Sequence, residues 1–214
     1  AWMGPSLRSE AEQMNLVTAL PLYHIFSLTG SCLLFMKLGA HNVLIANPRD
    51  FPGFVKELSK YKFTFFSGVN TLFNALLHTP GFDRLDFSRL RVSLGGGMAV
   101  QKAVADNWKQ VTGNTLTQAW GLTETSPGAT VNRLDAKEFT GSIGLPIPST
   151  IITIRDDDGN VLPLGQSGEI CVAGPQVMRG YWNRPDETDK VMLDGGVLRT
   201  GDIGYMDPQG YVFI

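Results

Sequence analysis

Cysteine, histidine and excess charge of either sign are scarce in this 214-residue chain, and each scarcity removes a class of function. Only Cys32 and Cys171 occur, far apart and with no second cysteine or clustered histidine beside either. Neither a disulfide framework nor a zinc site is therefore expected, and a reducing, cytoplasmic setting fits. Lys and Arg number 18 against 20 Asp and Glu, a net charge of −2, which gives no electrostatic reason to bind nucleic acid or an anionic membrane. Long apolar runs are missing too. The most apolar, Cys32 to Met36, is closed by Lys37, well short of the ~20 residues a membrane-spanning helix needs. The opening residues Ala1 to Arg8 lack a basic stretch followed by an apolar one, so no secretory leader is expected there.

What is present is a globular composition, 43% hydrophobic, with 24 Gly and 12 Pro. That many turn formers argue against a helical bundle and for a mixed α/β fold. Residues 1–15 read as a polar lead-in. From Leu16 onward, short β-prone runs alternate with helical patterns: Val17–Leu20, a helix ending at Gly39, Asn42–Ala46, a helix capped by Asp50, Lys62–Ser67, a helix opened by Asn70, Leu90–Leu94, a helix over Val100–Thr112, and Leu116–Ala119. Such alternation is the signature of βαβ units on a mainly parallel sheet with flanking helices. Near Gly141 the texture changes. A Gly/Pro-rich connector leads to short runs at Thr150–Arg155, Glu169–Ala173, Val197–Thr200 and Ile203–Met206, with one helix at Pro185–Leu193. Hairpin turns at Asp157-Asp158-Gly159-Asn160 and Asp207-Pro208-Gln209-Gly210 predict a small, barrel-like β-rich subdomain. The chain thus divides at residues 1–140 and 141–214, and both ends read as cut from a longer protein.

Single motifs are ambiguous. Gly95-Gly96-Gly97 follows a strand and precedes a helix, where a backbone passes close to a nucleotide. It fails as a dinucleotide fingerprint, because position 100 is Val100, and a plain tight turn explains it equally well. Gln118-Ala119-Trp120-Gly121-Leu122-Thr123-Glu124-Thr125 joins an aromatic fit for stacking on a base, a hydroxyl for a phosphate and a carboxylate for Mg²⁺; a capped loop with a buried Trp is the bland alternative. Asp202, in Thr200-Gly201-Asp202, suits two ribose hydroxyls or an Asx turn. Taken alone, His24 among apolar residues reads as a core histidine, and Met98, Met178 and Met192 as core filler. Arg179-Gly180-Tyr181-Trp182-Asn183-Arg184 is a weak case for nucleic-acid stacking in an acidic chain.

The order of the pieces is more specific than any one of them. LPLYHIF, LGGGMAV, QAWGLTET, GSIGLPIP, GEICVAGPQVMRGYWNRPDET and LRTGDIGYMD together resemble the large domain of the acyl-adenylate-forming superfamily, nearest to bacterial long-chain fatty acid–CoA ligases, over about Val17 to Ile214. The resemblance implies ATP, Mg²⁺ and CoA as cofactors and co-substrates, and a reaction in two halves. A fatty acid carboxylate attacks the α-phosphate of ATP, giving acyl-AMP and pyrophosphate, and the CoA thiol then displaces AMP.

Carried onto this chain, the resemblance assigns Gly95, Gly96 and Gly97 to one face of adenine and Trp120 to the other, with Gln118 and Gly121 beside them. Trp120 replaces the tyrosine usual there. Thr123 is implied as donor to the α-phosphate, Glu124 as Mg²⁺ ligand and Asp202 as ribose binder. His24 is implied near the reacting carboxylate, with Ser67, Gly68, Val69 and Met98 along the acyl tunnel. Leu28 stands where some relatives carry an aromatic gate. The family's phosphate loop and C-terminal domain have no counterpart in these residues, so the chain alone is expected to catalyse neither half-reaction. Peripheral contact with the inner membrane face suits a fatty acid substrate, although no amphipathic basic helix argues for it. Aryl–CoA ligases and other acid-activating domains are the near alternatives, and a non-catalytic nucleotide-binding module is the alternative of another class.

Overall fold

A computed structural model describes residues 13–214; the lead-in read at residues 1–12 lies outside the described residues. The chain forms two compact units. The first runs up to Gln118 and takes back Leu134–Gly141; the second comprises Ala119–Arg133 and Ser142–Ile214. The last crossing coincides with the connector at Gly141, and the earlier ones arise because β5 leaves the first unit at Gln118 and pairs onward in the second.

The first unit is a parallel sheet of order β2-β1-β3-β4-β5, built from β1 (Asn15–Thr18), β2 (His41–Leu44), β3 (Phe65–Gly68), β4 (Val92–Gly95) and the start of β5 (Leu116–Gly121). Parallel neighbours need crossovers, and helices supply them. Helix α1 follows β1 and is continuous from an α-helical turn, Ile25–Ser27, through a π-helical segment, Leu28–Leu33, to a second α-helical turn, Leu34–Leu38. The apolar run predicted a plain helix there; the π segment widens its middle and turns buried Ser31 to the sheet, where its Oγ lies 3.1 Å from Ser67 Oγ. Helix α2 (Phe51–Leu58) starts where Asp50 predicts, its Oδ1 accepting the Gly53 N–H at 3.0 Å, and buries Phe54 and Leu58. Helices α3 (Asn70–Leu77) and α4 (Lys102–Thr112) complete the set.

These helices enclose an aromatic core. Trp108 of α4 is fully buried, stacked on Phe66 with centroids 5.6 Å apart and edge-on to Phe73 at 4.7 Å. Its indole N–H, which burial would otherwise leave unpaired at a cost of ~1–3 kcal/mol, donates to Ser93 Oγ at 2.8 Å.

In the second unit the rest of β5 pairs antiparallel with β6 (Gly128–Val131), which pairs with β7 (Leu145–Pro146). A second, antiparallel sheet follows the predicted runs: β8 (Ile151–Arg155), β9 (Gly168–Ala173), β10 (Met192–Leu193), β11 (Val197–Met206) and β12 (Val212–Phe213), with α5 (Pro185–Val191) before β10. The runs Val197–Thr200 and Ile203–Met206 are one strand, interrupted by a bulge between Arg199 and Ile203. Alternating inward residues, including Ile152, Ile154, Ile170, Val172 and Val212, form this unit's core.

Candidate functional site

In the first unit the predicted residues gather where open parallel sheets place ligands, at the carboxyl ends of the strands. Gly95 ends β4, and a Cβ on it would stand 2.6 Å from Val100 Cγ2; Gly97 has φ +75°, a left-handed conformation that side chains resist. These two positions need glycine for the loop to turn tightly into α4. Buried Gln118 holds that turn, its Oε1 accepting the Val100 N–H at 2.8 Å, and Asn70 Oδ1 accepts the Gln101 N–H at 2.9 Å. Gln118 therefore supports the glycine loop from beneath. Gly96 N–H donates to Gly68 O at 3.2 Å, which ties the loop to the neighbouring strand end.

The same end carries Ser67, buried and bonded to Ser31, then Gly68 and the half-buried Val69. Val69 Cγ1 is 3.6 Å from the position a Cβ on Gly97 would take. Met98 is 48% exposed, so the core-filler reading of it fails: it rides on the loop that leaves the sheet. Met178 and Met192 are partly exposed as well.

His24 departs from the core reading. It is exposed and caps α1, its Nδ1 accepting the Phe26 N–H at 3.2 Å. An accepting Nδ1 puts the neutral ring's proton on Nε2. That leaves a fixed imidazole with a donor on its outer edge.

In the second unit, the indole N–H of Trp120 donates to Asp202 Oδ2 at 2.9 Å, across 82 residues of sequence. Trp120 is half-buried against the β core, with room left on the ring. β5 therefore places the aromatic, and the β11 bulge the carboxylate. Thr123 is exposed at the start of a 3-10 turn, Thr123–Thr125. Thr125 Oγ1 accepts the Leu122 N–H at 2.8 Å, and Gly121 precedes that turn. Glu124 Oε1 accepts from Tyr181 Oη at 2.8 Å, and that bond, the first cause, holds the Tyr181 phenol above its ordinary pKa.

Glu124 and Tyr181 line a cavity of about 240 Å³ together with Glu169, Lys190, Arg199 and Thr200. Arg199 donates from Nε and Nη2 to Glu169 Oε2, each at 2.7 Å, which raises the guanidinium pKa further. Among the described residues no group of three or more His, Cys, Asp or Glu forms a metal cage. A cation here would rest on Glu124 and on the ligand's own oxygens, the habit of Mg²⁺ with nucleotides.

Two contributors were not singled out from sequence. Tyr181 lay inside a segment weighed for nucleic-acid stacking, and Glu169 opened a run read as a strand. Isolated opposite charges in two apolar runs, Glu169 before Ile170-Cys171-Val172 and Arg199 after Val197-Leu198, are the signal that pairs them.

Comparison with known proteins agrees in family and fold. The family model described as AMP-binding enzyme matches residues 2–182. A long-chain-fatty-acid–CoA ligase of Yersinia pestis is 61% identical over 198 residues, 92% of this chain and 35% of the relative. The chain thus spans about a third of the length of that curated relative. Among solved structures, ATP-bound MatB from Rhodopseudomonas palustris superposes with TM-score 0.81 at 29% identity, over 94% of this chain and 40% of that one. The N-terminal domain of FACL13 from Mycobacterium tuberculosis does so with TM-score 0.84 at 26% identity, over 99% and 53% respectively.

Proposed function

The chain belongs to the AMP-binding enzyme family, and from that premise we propose that it is the nucleotide- and acyl-binding part of an ATP-dependent long-chain fatty acid–CoA ligase. The observation that carries the reading is the Trp120–Asp202 hydrogen bond. It joins in one unit the two side chains whose chemistry suits a base and a ribose.

Each residue then has a task. Trp120 stacks on adenine, and Asp202 accepts from the ribose hydroxyls through the oxygens and lone pairs that the indole leaves open. The backbone of Gly95, Gly96 and Gly97, free of side chains, offers a flat surface to the base. Gln118 and Gly121 fix the ends of these loops. Thr123 donates its hydroxyl to the α-phosphate. Glu124, oriented by Tyr181, would hold Mg²⁺, which when bound would offset the negative charge that develops as pyrophosphate leaves. His24 presents Nε2–H to an oxygen of the reacting carboxylate or phosphate. Ser67, Gly68, Val69 and Met98 line the acyl path.

The reaction is balanced as two displacements. The carboxylate oxygen forms a bond to the α-phosphorus as the bond to pyrophosphate breaks. The CoA thiolate then forms the thioester as AMP leaves with the acyl–oxygen electron pair. Displacements of this kind are accelerated mainly by placement and charge stabilisation. No helix among the described residues is long and apolar enough to cross a membrane; a fatty acid substrate suits peripheral contact with a lipid surface.

The test uses the complete enzyme that carries this sequence, with ATP, Mg²⁺ and carboxylic acids from acetate to oleate, plus benzoate and amino acids. Pyrophosphate release confined to long chains, followed by CoA thioester formation, is the expected result. Release with benzoate alone would replace the fatty acid with an aryl acid. Release with none, despite AMP binding, would reject the ligase assignment.

A further inference from the structure

We propose that Glu169, acting with Thr200, is a positioning residue that fixes Asp202 and thereby sets how strongly the enzyme distinguishes ribose from deoxyribose. The inference rests on the reading of Asp202 as ribose binder. Glu169 and Thr200 are not among the residues assigned to the base or the sugar.

β9 and β11 form an antiparallel ladder. Arg199 pairs with Cys171 and Ile203 with Glu169, so β11 advances four residues while β9 advances two. Three residues of β11, Thr200-Gly201-Asp202, therefore lie opposite Ile170 alone and leave the pleat. Bulges of this kind re-aim a side chain away from the sheet alternation, and here the re-aimed side chain is Asp202. A bulge is also the place where a strand loses its ladder bonds, so something else must hold it.

Glu169 and Thr200 do so. Glu169 Oε1 accepts the Gly201 N–H at 2.9 Å, while its Oε2 accepts both contacts from Arg199. One carboxylate therefore grips the bulge at its entry and at its apex. Gly201 has φ +76°, the left-handed turn that sends the chain back toward the sheet. Thr200 Oγ1 donates to Ile170 O at 2.7 Å and accepts the Asp202 N–H at 3.1 Å. The hydroxyl thus connects the backbone of Asp202 to the strand opposite. The Glu169 side chain is only 13% exposed, so these bonds face little competition from water. Trp120 fixes the outer end of Asp202 through Oδ2, and the clamp fixes its root. Without the clamp a carboxylate still reaches the sugar, but over a spread of directions, and the two hydroxyls are no longer read as a pair.

The test is pyrophosphate release by the complete enzyme with ATP, 2′-deoxyATP and 3′-deoxyATP. For the parent enzyme, removing one hydroxyl from a fixed carboxylate costs about tenfold in kcat/KM. Glu169→Gln presents an amide NH₂ to one of two donors and so loses one grip. KM for ATP is expected to rise about tenfold, with kcat at saturation nearly kept. The deoxy analogues lose only about threefold, so the ribose preference shrinks to about threefold. Thr200→Val is expected to shrink it similarly, and Thr200→Ser, which restores the hydroxyl, to retain the parent ratio.

Equal losses for all three nucleotides in Glu169→Gln would overturn the proposal, since a merely structural residue does not alter selectivity. Should that variant fail to fold, a parent-like ratio in Thr200→Val would overturn it instead. Asp202→Ala separates the two ideas. A parent-like ratio there means that Asp202 does not read the ribose, and both fall; a collapsed ratio with intact selectivity in the clamp variants rejects the clamp alone.

Discussion

Trp120→Phe removes one donor and keeps a flat aromatic face, so it isolates the indole N–H from the ring. In the parent, that N–H donates to Asp202 Oδ2 at 2.9 Å, and both side chains are half-buried. Removing a hydrogen bond to a charged group costs about 1.5–3 kcal/mol, and partial access of water places this one near the lower end, about 1.5 kcal/mol. The bond is already made before AMP binds, so this is the most that mis-aiming Asp202 takes from affinity, roughly tenfold. Stacking of a base on an aromatic contributes a further ~1–3 kcal/mol, which Phe retains and Ala does not. Calorimetric titration of the complete enzyme with AMP should therefore give about tenfold weaker binding for Trp120→Phe and about a hundredfold or more for Trp120→Ala. In the double variant with Asp202→Asn, the losses should fall short of additivity by about 1 kcal/mol, the mark of two groups in contact. Parent-like affinity in Trp120→Phe, or strict additivity in the double variant, would refute the reasoning.

Three further outcomes follow from packing and protonation. Trp108→Phe keeps most of the ring contacts with Phe66 and Phe73 but strips the donor from the fully buried Ser93 hydroxyl; chemical denaturation should show a loss of about 2–4 kcal/mol. The Tyr181 phenol is held neutral by its bond to Glu124, so ultraviolet titration should find it ionising above the ordinary tyrosine range, and Glu124→Gln should bring it down. Because the folded-state value is the higher one, the associated stability is complete below the ordinary tyrosine pKa of about 10 and is lost as pH rises through the raised value. Burial holds the Cys171 thiol above its usual pKa, whereas Cys32 is partly exposed; brief alkylation of the native protein at neutral pH should modify Cys32 and spare Cys171, as read by peptide mass spectrometry.

The sequence was most legible where local chemistry and burial agree. Asp50 and Pro52 marked the start of α2, and Gly39 and Gly113 closed α1 and α4 in left-handed conformations. Spacing in α4 put Val104 and Trp108 in the core. It was less legible where a tertiary partner decides. The π segment of α1 carries Ser31, whose hydroxyl meets Ser67, 36 residues away. β6 and β7 are short and Pro- or Gly-bearing, so no periodicity reveals them, and they exist because β5 needs a neighbour. The gap between Val197–Thr200 and Ile203–Met206 was read as a turn between two strands; it is a bulge within one, and what holds it is Glu169 from another strand. His24 looked internal because apolar letters surround it, but at the first turn of a helix a ring nitrogen is used on the backbone and the residue stays exposed.

The π segment also makes α1 two helices with a phase setting between them. Upstream, the His24 cap fixes one azimuth; downstream, Phe35 is locked by its ring against Phe65, with centroids 4.7 Å apart. In a helix one residue is worth about 100° of rotation. Deleting a residue from Leu28–Leu33 would tighten the coil and swing everything on one side of it by that angle relative to the other. Since Phe35 is anchored in the sheet, the imidazole would travel. Chain length in this short stretch thus sets where His24 aims and couples that aim to the buried Ser27 and Ser31 contacts, so a one-residue deletion series through it would turn the ring in large steps.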